Sequence, residues 1–339
     1  MRTPGAIRLV HRRVPHHASH SGYDRISDYL LGRRTSIVGP EATGWVRHVG
    51  GLAARLAPNR WYDANCFAAE VSVITSPARV THFLYADDQV WLTSRVRGRD
   101  GARIATYHQP PEIFDSVAGT SSARALDIVI AVASNQLDRL TALVRGDVER
   151  VRLIPLGVDT DFFSPAASVP TARPFLCLAV GFWLRRFDLL RAVADEVTRR
   201  HGREVEFRLV CSPPPDFEFG PAMRVESSLS DLQLRETYRS ASLMIHPVSN
   251  ATANCAVLEA MACGVPVIAS DVGGVRDYVS DRDGALVRND VEPFVEAIET
   301  FLHNVDLRSI AGRHARTRAE EFAWPIVARR LSSTYAEVS

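Results

Sequence analysis

Short apolar runs alternate with helical patterns along this chain, and the alternation stops once and then restarts. IRLVHR, SIVG, VSVITS, VTHFLY, RIATYH, DIVIAVAS and RVRLIPLG read as strands of a parallel sheet, since strands covered by helices on both faces carry apolar residues on both sides. A stretch rich in Pro, Ser and Ala, Ser164 to Pro174, interrupts the series before FLCLAVG, VEFRLVC, LMIHPV, PVIAS and GALVR resume it, which marks a linker. The 339 residues also exceed what one hydrophobic core usually serves. The expected fold class is therefore α/β: two doubly wound, Rossmann-like domains over 1–165 and 166–320, facing each other across a cleft. A terminal helix is expected over 321–339, with Phe322, Trp324, Val327 and Leu331 on one stripe. Such sheets bind ligands beyond the carboxyl ends of their strands.

Charge is close to balanced, nearly half the residues are apolar, and no low-complexity tract occurs, so neither disorder nor a nucleic-acid footprint is indicated. No membrane span is read. The N-terminal AIRLV is too short for a signal-peptide core and is taken as a first strand, which implies a cytoplasmic protein. Cys66, Cys177, Cys211, Cys255 and Cys263 are odd in number and scattered, as reduced core thiols are. His16, His17 and His20 are neighbours on one loop without a Cys or Asp pattern, so no metal site is assigned to them. All forty basic residues are arginine, so any side-chain cation that meets a phosphate must be a guanidinium. An arginine-only basic complement also fits a high-GC bacterial genome.

The densest chemistry lies in SNATANCAVLEAMACGVPVIASDVGG, Ser249 to Gly274. Val257, Leu258, Met261 and Ala262 recur at helical spacing, and Asn250, Thr252 and Asn254 sit where a helix start leaves backbone N–H groups unpaired. Such an end attracts phosphate. Glu259 follows on the same helix, where a carboxylate accepts hydrogen bonds from two vicinal ribose hydroxyls. Gly264 and Pro266 end the helix, and VPVIAS runs as a buried strand into DVGG.

This segment resembles the donor-site motif of family 4 glycosyltransferases, the retaining enzymes of the GT-B fold. In that family a Glu-x7-Glu pair brackets the loop and helix; Glu259 matches the second position, and Ala251 occupies the first. VRLIPLGVDTDFFSP, Val151 to Pro165, is similar to the family's IPxGVDxxxFxP signature, with Gly157 expected to turn the chain and Phe162 and Phe163 to pack. LAVGFWLRRF stands where the family holds the donor diphosphate with an Arg and a Lys. Here Phe182 takes the early cationic position, and Arg185 and Arg186 are the candidates. HHASHSGYDRISDYL resembles the loop whose backbone N–H groups, here near Ser21 and Gly22, approach the diphosphate from the N-terminal domain. His108, directly after a strand in IATYHQPPEIF, matches a histidine close to the reacting sugar.

The resemblance implies transfer of a hexose-like sugar from a nucleotide diphosphate sugar to a hydroxyl acceptor on a glycan, glycolipid or secondary metabolite, with retention and without a metal or other cofactor. His108 is the candidate catalytic residue. Ser21, Gly22, Arg185, Arg186, Thr252, Asn254, Cys255, Ala256, Val257 and Glu259 are the candidate donor contacts. Peripheral membrane contact stays open and the oligomeric state unassigned. Ala251, Phe182 and Ser21 all depart from the family pattern, which prompts a second expectation: a catalytically weak nucleotide-sugar-binding protein that assists a partner. A phosphorylase or synthase acting on a sugar phosphate is a third.

Overall fold

The computed structural model describes residues 7–11, 19–30, 42–76, 78–96, 101–118, 125–166, 174–212 and 214–338, together with the backbone of 35–38. His16 and His17 lie outside the described residues. The chain divides into two compact units, one comprising Met1–Val14, Tyr23–Pro155 and Pro325–Ser339, the other Pro15–Gly22 and Leu156–Trp324.

The first unit holds a six-stranded parallel sheet: β1 (Ile7–Val10), β2 (Thr35–Val38), β3 (Val80–Phe83), β4 (Ala102–Tyr107), β5 (Ile128–Ala131) and β6 (Val151–Leu153), in the order β2-β1-β3-β4-β5-β6. VSVITS, expected as a strand, instead closes the helix Ala64–Thr75. Asp63 caps that helix by accepting from the Cys66 N–H (2.9 Å), and Cys66, Ala69, Glu70 and Val73 are its buried face. Helical spacing there overrides local β propensity.

The second unit holds β7 (Phe175–Val180), β8 (Val205–Val210), β9 (Met223–Glu226), β10 (Leu243–His246), β11 (Val267–Ser270) and β12 (Gly284–Val287), all parallel, in the order β12-β11-β10-β7-β8-β9. Strand order reverses between β7 and β10. Its core gathers Phe175, Phe207, Leu209, Leu190, Ile268 and Phe294 under the helices Phe187–His201 and Val291–His303.

The chain changes unit at Pro155, earlier than the Pro- and Ser-rich stretch. Residues just beyond it are tied into the second unit: the Leu156 N–H donates to the Tyr278 hydroxyl (2.9 Å), Val158 bridges Ala323, and Phe163 is buried. Gly157 does not serve as a positive-φ turn. It clears space, because a Cβ there would overlap the Trp324 ring. The last helix is Trp324–Glu337, and Phe322 precedes it. Trp324, Val327 and Leu331 are buried as their stripe requires, and Tyr335 extends it.

In the first unit the Tyr335 hydroxyl meets His82 Nδ1 at 2.7 Å, and His82 Nε2 meets Thr106 Oγ1 at 2.7 Å. Burial, aided by the charge of His108, pushes the His82 ring down to about 3 from 6.5. The unfolded chain takes up a proton at His82 below pH 6.5, whereas the folded chain does not until about pH 3. Stability from His82 is thus complete above its unfolded value and is lost as pH falls toward 3, at up to about 1.4 kcal/mol per pH unit. His82→Gln is expected to flatten the pH dependence of unfolding free energy by about that slope over this window. Parallel curves for the two proteins would refute the assignment.

Candidate functional site

The reversal of strand order places the loops after β7 and β10 side by side at the carboxyl edge of the second sheet, where doubly wound folds bind ligands. These loops are stapled together. The Arg186 N–H donates to the Pro247 carbonyl (3.0 Å), the Ser249 N–H donates to the Leu184 carbonyl (3.0 Å), and Arg185 bridges Val248. Leu184 carries φ 57°, a left-handed conformation that costs roughly 1–2 kcal/mol for a side-chain-bearing residue and is held by these bonds. Gly181, at φ 87°, leaves room for the Arg185 guanidinium, since a Cβ there would stand 3.1 Å from Nη2.

The same staple separates the two neighbouring arginines. Arg186 turns to Asp188 and forms an exposed ion pair (2.6 Å). Arg185 folds over the loop: Nε and Nη2 donate to the Val180 carbonyl (3.1 and 2.6 Å), Nη1 to the Trp183 carbonyl (3.2 Å), and Nη2 reaches Asn254 Oδ1 at 3.4 Å. Burial pushes the Arg185 guanidinium down to about 10, which leaves it charged at neutral pH. Among the described residues no carboxylate lies within ion-pair distance of it.

Asn254 caps the helix Cys255–Ala262, its Oδ1 accepting from the Val257 N–H (3.3 Å). Thr252, Ala256 and Val257 are buried, and Cys255 is partly exposed at the first helical position. Glu259 is only 4% exposed, and both its oxygens are occupied. The Ser21 hydroxyl donates to Oε1 (2.6 Å) and the Tyr238 hydroxyl to Oε2 (2.9 Å). Burial raises the Glu259 carboxyl above its ordinary range while these two hydroxyls hold it down. Ser21 thereby enters the site through its side chain. Its neighbours anchor the same segment: the Ser19 N–H donates to Asp231 (2.8 Å), His20 Nδ1 pairs with Asp159 (2.7 Å), and the His20 ring stacks on Phe162 at 3.6 Å. Gly22 follows at φ 98°, which only glycine adopts freely.

Ala251, at the position of the missing carboxylate, is buried under the DVGG loop. The Gly274 N–H donates to its carbonyl (2.8 Å), and a Cβ at Gly273 would overlap that oxygen. His246, at the end of β10, is fully buried with neither ring nitrogen hydrogen-bonded among the described residues. Burial and then the Arg185 charge hold it well below its ordinary value, so the ring is neutral. Tyr238, Asp159 and His246 were not singled out in the sequence. Signals existed for two of them: Asp159 is the aspartate of the GVD signature, and His246 stands directly before Pro247 at a strand end.

His108 lies in the first unit, after β4. Its N–H donates to Asp87 Oδ2 (2.6 Å), Nε2 meets the Leu84 carbonyl at 2.7 Å, and the ring contacts Tyr23 and Tyr85. A carbonyl accepts only, so Nε2 carries a hydrogen and donates it to Leu84. Buried Asp87, pushed up to about 6 by desolvation, also accepts from the Gln109 N–H (3.1 Å), so the strand end carrying His108 is held rigidly. Among the described residues no three His, Cys, Asp or Glu side chains converge as metal ligands, and no helix is long and apolar enough to cross a membrane.

Residues 178–304 match the family model of glycosyl transferases group 1, and Arg185, Tyr238, Asn254 and Glu259 all lie inside that span. The alpha-maltose-1-phosphate synthase of Mycolicibacterium smegmatis is 29% identical over 252 residues, 65% of this chain and 65% of the relative. The D-inositol 3-phosphate glycosyltransferase of Stackebrandtia nassauensis is 26% identical over 301 residues, 76% and 67% respectively. The chain spans about half to two thirds of the length of the curated relatives it matches. Among solved structures, sucrose-phosphate synthase from Thermosynechococcus elongatus superposes with TM-score 0.70 at 18% identity over 98% of both chains. Anabaena HepE in complex with UDP-glucose superposes with TM-score 0.70 at 14% identity, over 98% of this chain and 100% of that one. The fold is GT-B.

Proposed function

We propose that this chain transfers a sugar from a nucleotide diphosphate sugar to a hydroxyl acceptor, with retained anomeric configuration and without a divalent ion. One observation carries the reading: Arg185, charged and without a carboxylate partner among the described residues, lies against the Asn254 cap of the helix that bears Glu259. That end of the sheet offers a diphosphate both a guanidinium and a helix start. The relatives named as glycosyltransferases and the fold shared with a UDP-glucose complex support the same reading.

In this reading Arg185 and the first turn of the helix neutralise the leaving diphosphate. The bond from the anomeric carbon to the diphosphate breaks as the acceptor oxygen bonds on the same face, and the acceptor proton passes to a phosphate oxygen. Glu259 grips the ribose. Its oxygens already accept from two hydroxyls, and a ribose hydroxyl takes the place of Ser21's. His108, its ring oriented by the Leu84 carbonyl, serves the sugar and acceptor.

A panel of nucleotide diphosphate sugars tested for transfer and hydrolysis in excess chelator is expected to yield a turned-over donor, and reversible loss of turnover on chelation would overturn the metal-free part. Glu259→Gln keeps shape and removes charge, and should weaken nucleotide binding by about 1.5–3 kcal/mol, roughly 10- to 150-fold, as charged hydrogen bonds are lost. Unchanged affinity in the folded variant would refute the ribose role. Buried Ala251 favours one second reading, a binder that holds the donor but turns it over weakly, which tight nucleotide binding without turnover would reveal.

A further inference from the structure

The helices and loops at the amino edge of the second sheet enclose a separate pocket of about 430 Å³, formed where Ser242 leads into β10 and Pro266 into β11. The strands run parallel, so this pocket lies at the other end of the sheet from Arg185 and Asn254. One face of the helix Val305–Glu320 supplies Arg308, Gly312, Arg313, Arg316 and Glu320, and Arg239 faces them from the helix Asp231–Ser240. Gly312 lets that helix approach so closely that a Cβ there would overlap the Gly264 carbonyl.

Among the described residues, four guanidinium groups and a single carboxylate line this space, an excess of three positive charges. Two of the arginines have structural work: Arg239 pairs with Glu236 (3.0 Å) and binds the Ser164 carbonyl, while Arg316 pairs with Glu320 (2.8 Å) and donates to three backbone carbonyls. The other two bind only neutral groups among the described residues. Arg308 donates to the Phe301 carbonyl (2.8 Å) and lies over the Phe175 ring, and Arg313 donates to Ser309 Oγ (2.8 Å). Neither has a carboxylate partner among the described residues. Partial burial lowers the Arg308 guanidinium from its ordinary value, a cost that a bound anion would relieve. Pro165, Ala166 and Val265 add an apolar wall, and the volume falls within the range of small-molecule sites.

We infer that this pocket is a second ligand site, distinct from the carboxyl-edge site, and that it binds a phosphomonoester dianion carried on a small organic body, gripped by Arg308 and Arg313. Planar, permanently charged guanidinium groups recognise phosphate through paired N–H donors, and two of them balance its double charge. The inference is independent of the donor reading, because no residue is shared with it.

Calorimetric titration of the full chain with glucose 6-phosphate, inorganic phosphate and glucose provides the test. Saturable binding is expected for both phosphates and not for glucose. Arg313→Glu, a reversal at an exposed position that leaves the core untouched, and Arg308→Gln should each weaken it at least tenfold, whereas Arg185→Gln should leave it unchanged. Absence of saturable binding up to about 10 mM would overturn the inference. So would binding that Arg185→Gln abolishes and Arg313→Glu spares, which would place the anion at the carboxyl edge.

Discussion

Arg185→Gln is expected to lower turnover by about 10²- to 10³-fold, the scale seen when one preorganised donor to a developing anion is removed. Arg186→Gln should change it less than about twofold, since that side chain is spent on an exposed pair with Asp188. The contrast matters because the residues are adjacent and chemically identical. Arg185 also ties its loop to the Val180 carbonyl, so structural and electrostatic roles have to be separated. Affinity for a nucleoside diphosphate should fall strongly in Arg185→Gln while affinity for the parent nucleoside stays. Equal losses for both ligands would assign Arg185 to loop structure alone, and equal activity in the two variants would remove it from the site.

The largest stability effect is expected at Glu70, far in sequence from every motif. This fully buried carboxylate accepts from the Tyr62 hydroxyl (2.6 Å) and from three consecutive backbone N–H groups, of Trp91 (3.0 Å), Leu92 (2.8 Å) and Thr93 (2.6 Å). Burial raises its carboxyl above the ordinary range, and these donors pull it back. Glu70→Ala would leave four donors, two of them fully buried, without their acceptor and should cost about 3–5 kcal/mol of unfolding free energy. Glu70→Gln retains an acceptor oxygen and should cost less. Denaturant unfolding of the three proteins checks the order, and a Glu70→Ala variant within about 1 kcal/mol of the parent would show that water replaces the carboxylate without penalty.

Where one local signal dominated, the sequence was readable. Eleven of the described strands coincide with apolar runs, and several of these, such as Ile7–Val10, Ile128–Ala131 and Phe175–Val180, are buried on both faces and so apolar or nearly so throughout. The strand Met223–Glu226 escaped because Arg224 and Glu226 alternate with its two apolar residues, so no run exists to be seen. VSVITS misled for the opposite reason, being β-branched yet placed on a helix whose capped start and buried face lie upstream. The helix around Glu259 was legible through its motif. What surrounds Glu259 was not: the Ser21 and Tyr238 hydroxyls arrive from 238 and 21 residues away, and neither residue's spacing announces the contact. Choosing between Arg185 and Arg186 likewise required the backbone staple to Pro247 and Ser249, a long-range pairing without a local signature.

Neither unit is made from one uninterrupted stretch of chain: the first takes back Pro325–Ser339, and the second claims Pro15–Gly22. During synthesis the first sheet therefore emerges long before Tyr335 can reach His82, and Glu259 emerges long after Ser21. Both hydrogen bonds close loops of more than two hundred residues, so they belong to the late, slow part of folding. A nascent chain arrested before its last helix would hold a first unit in which His82 still lacks its Tyr335 partner and Val327 and Leu331 are not yet in place.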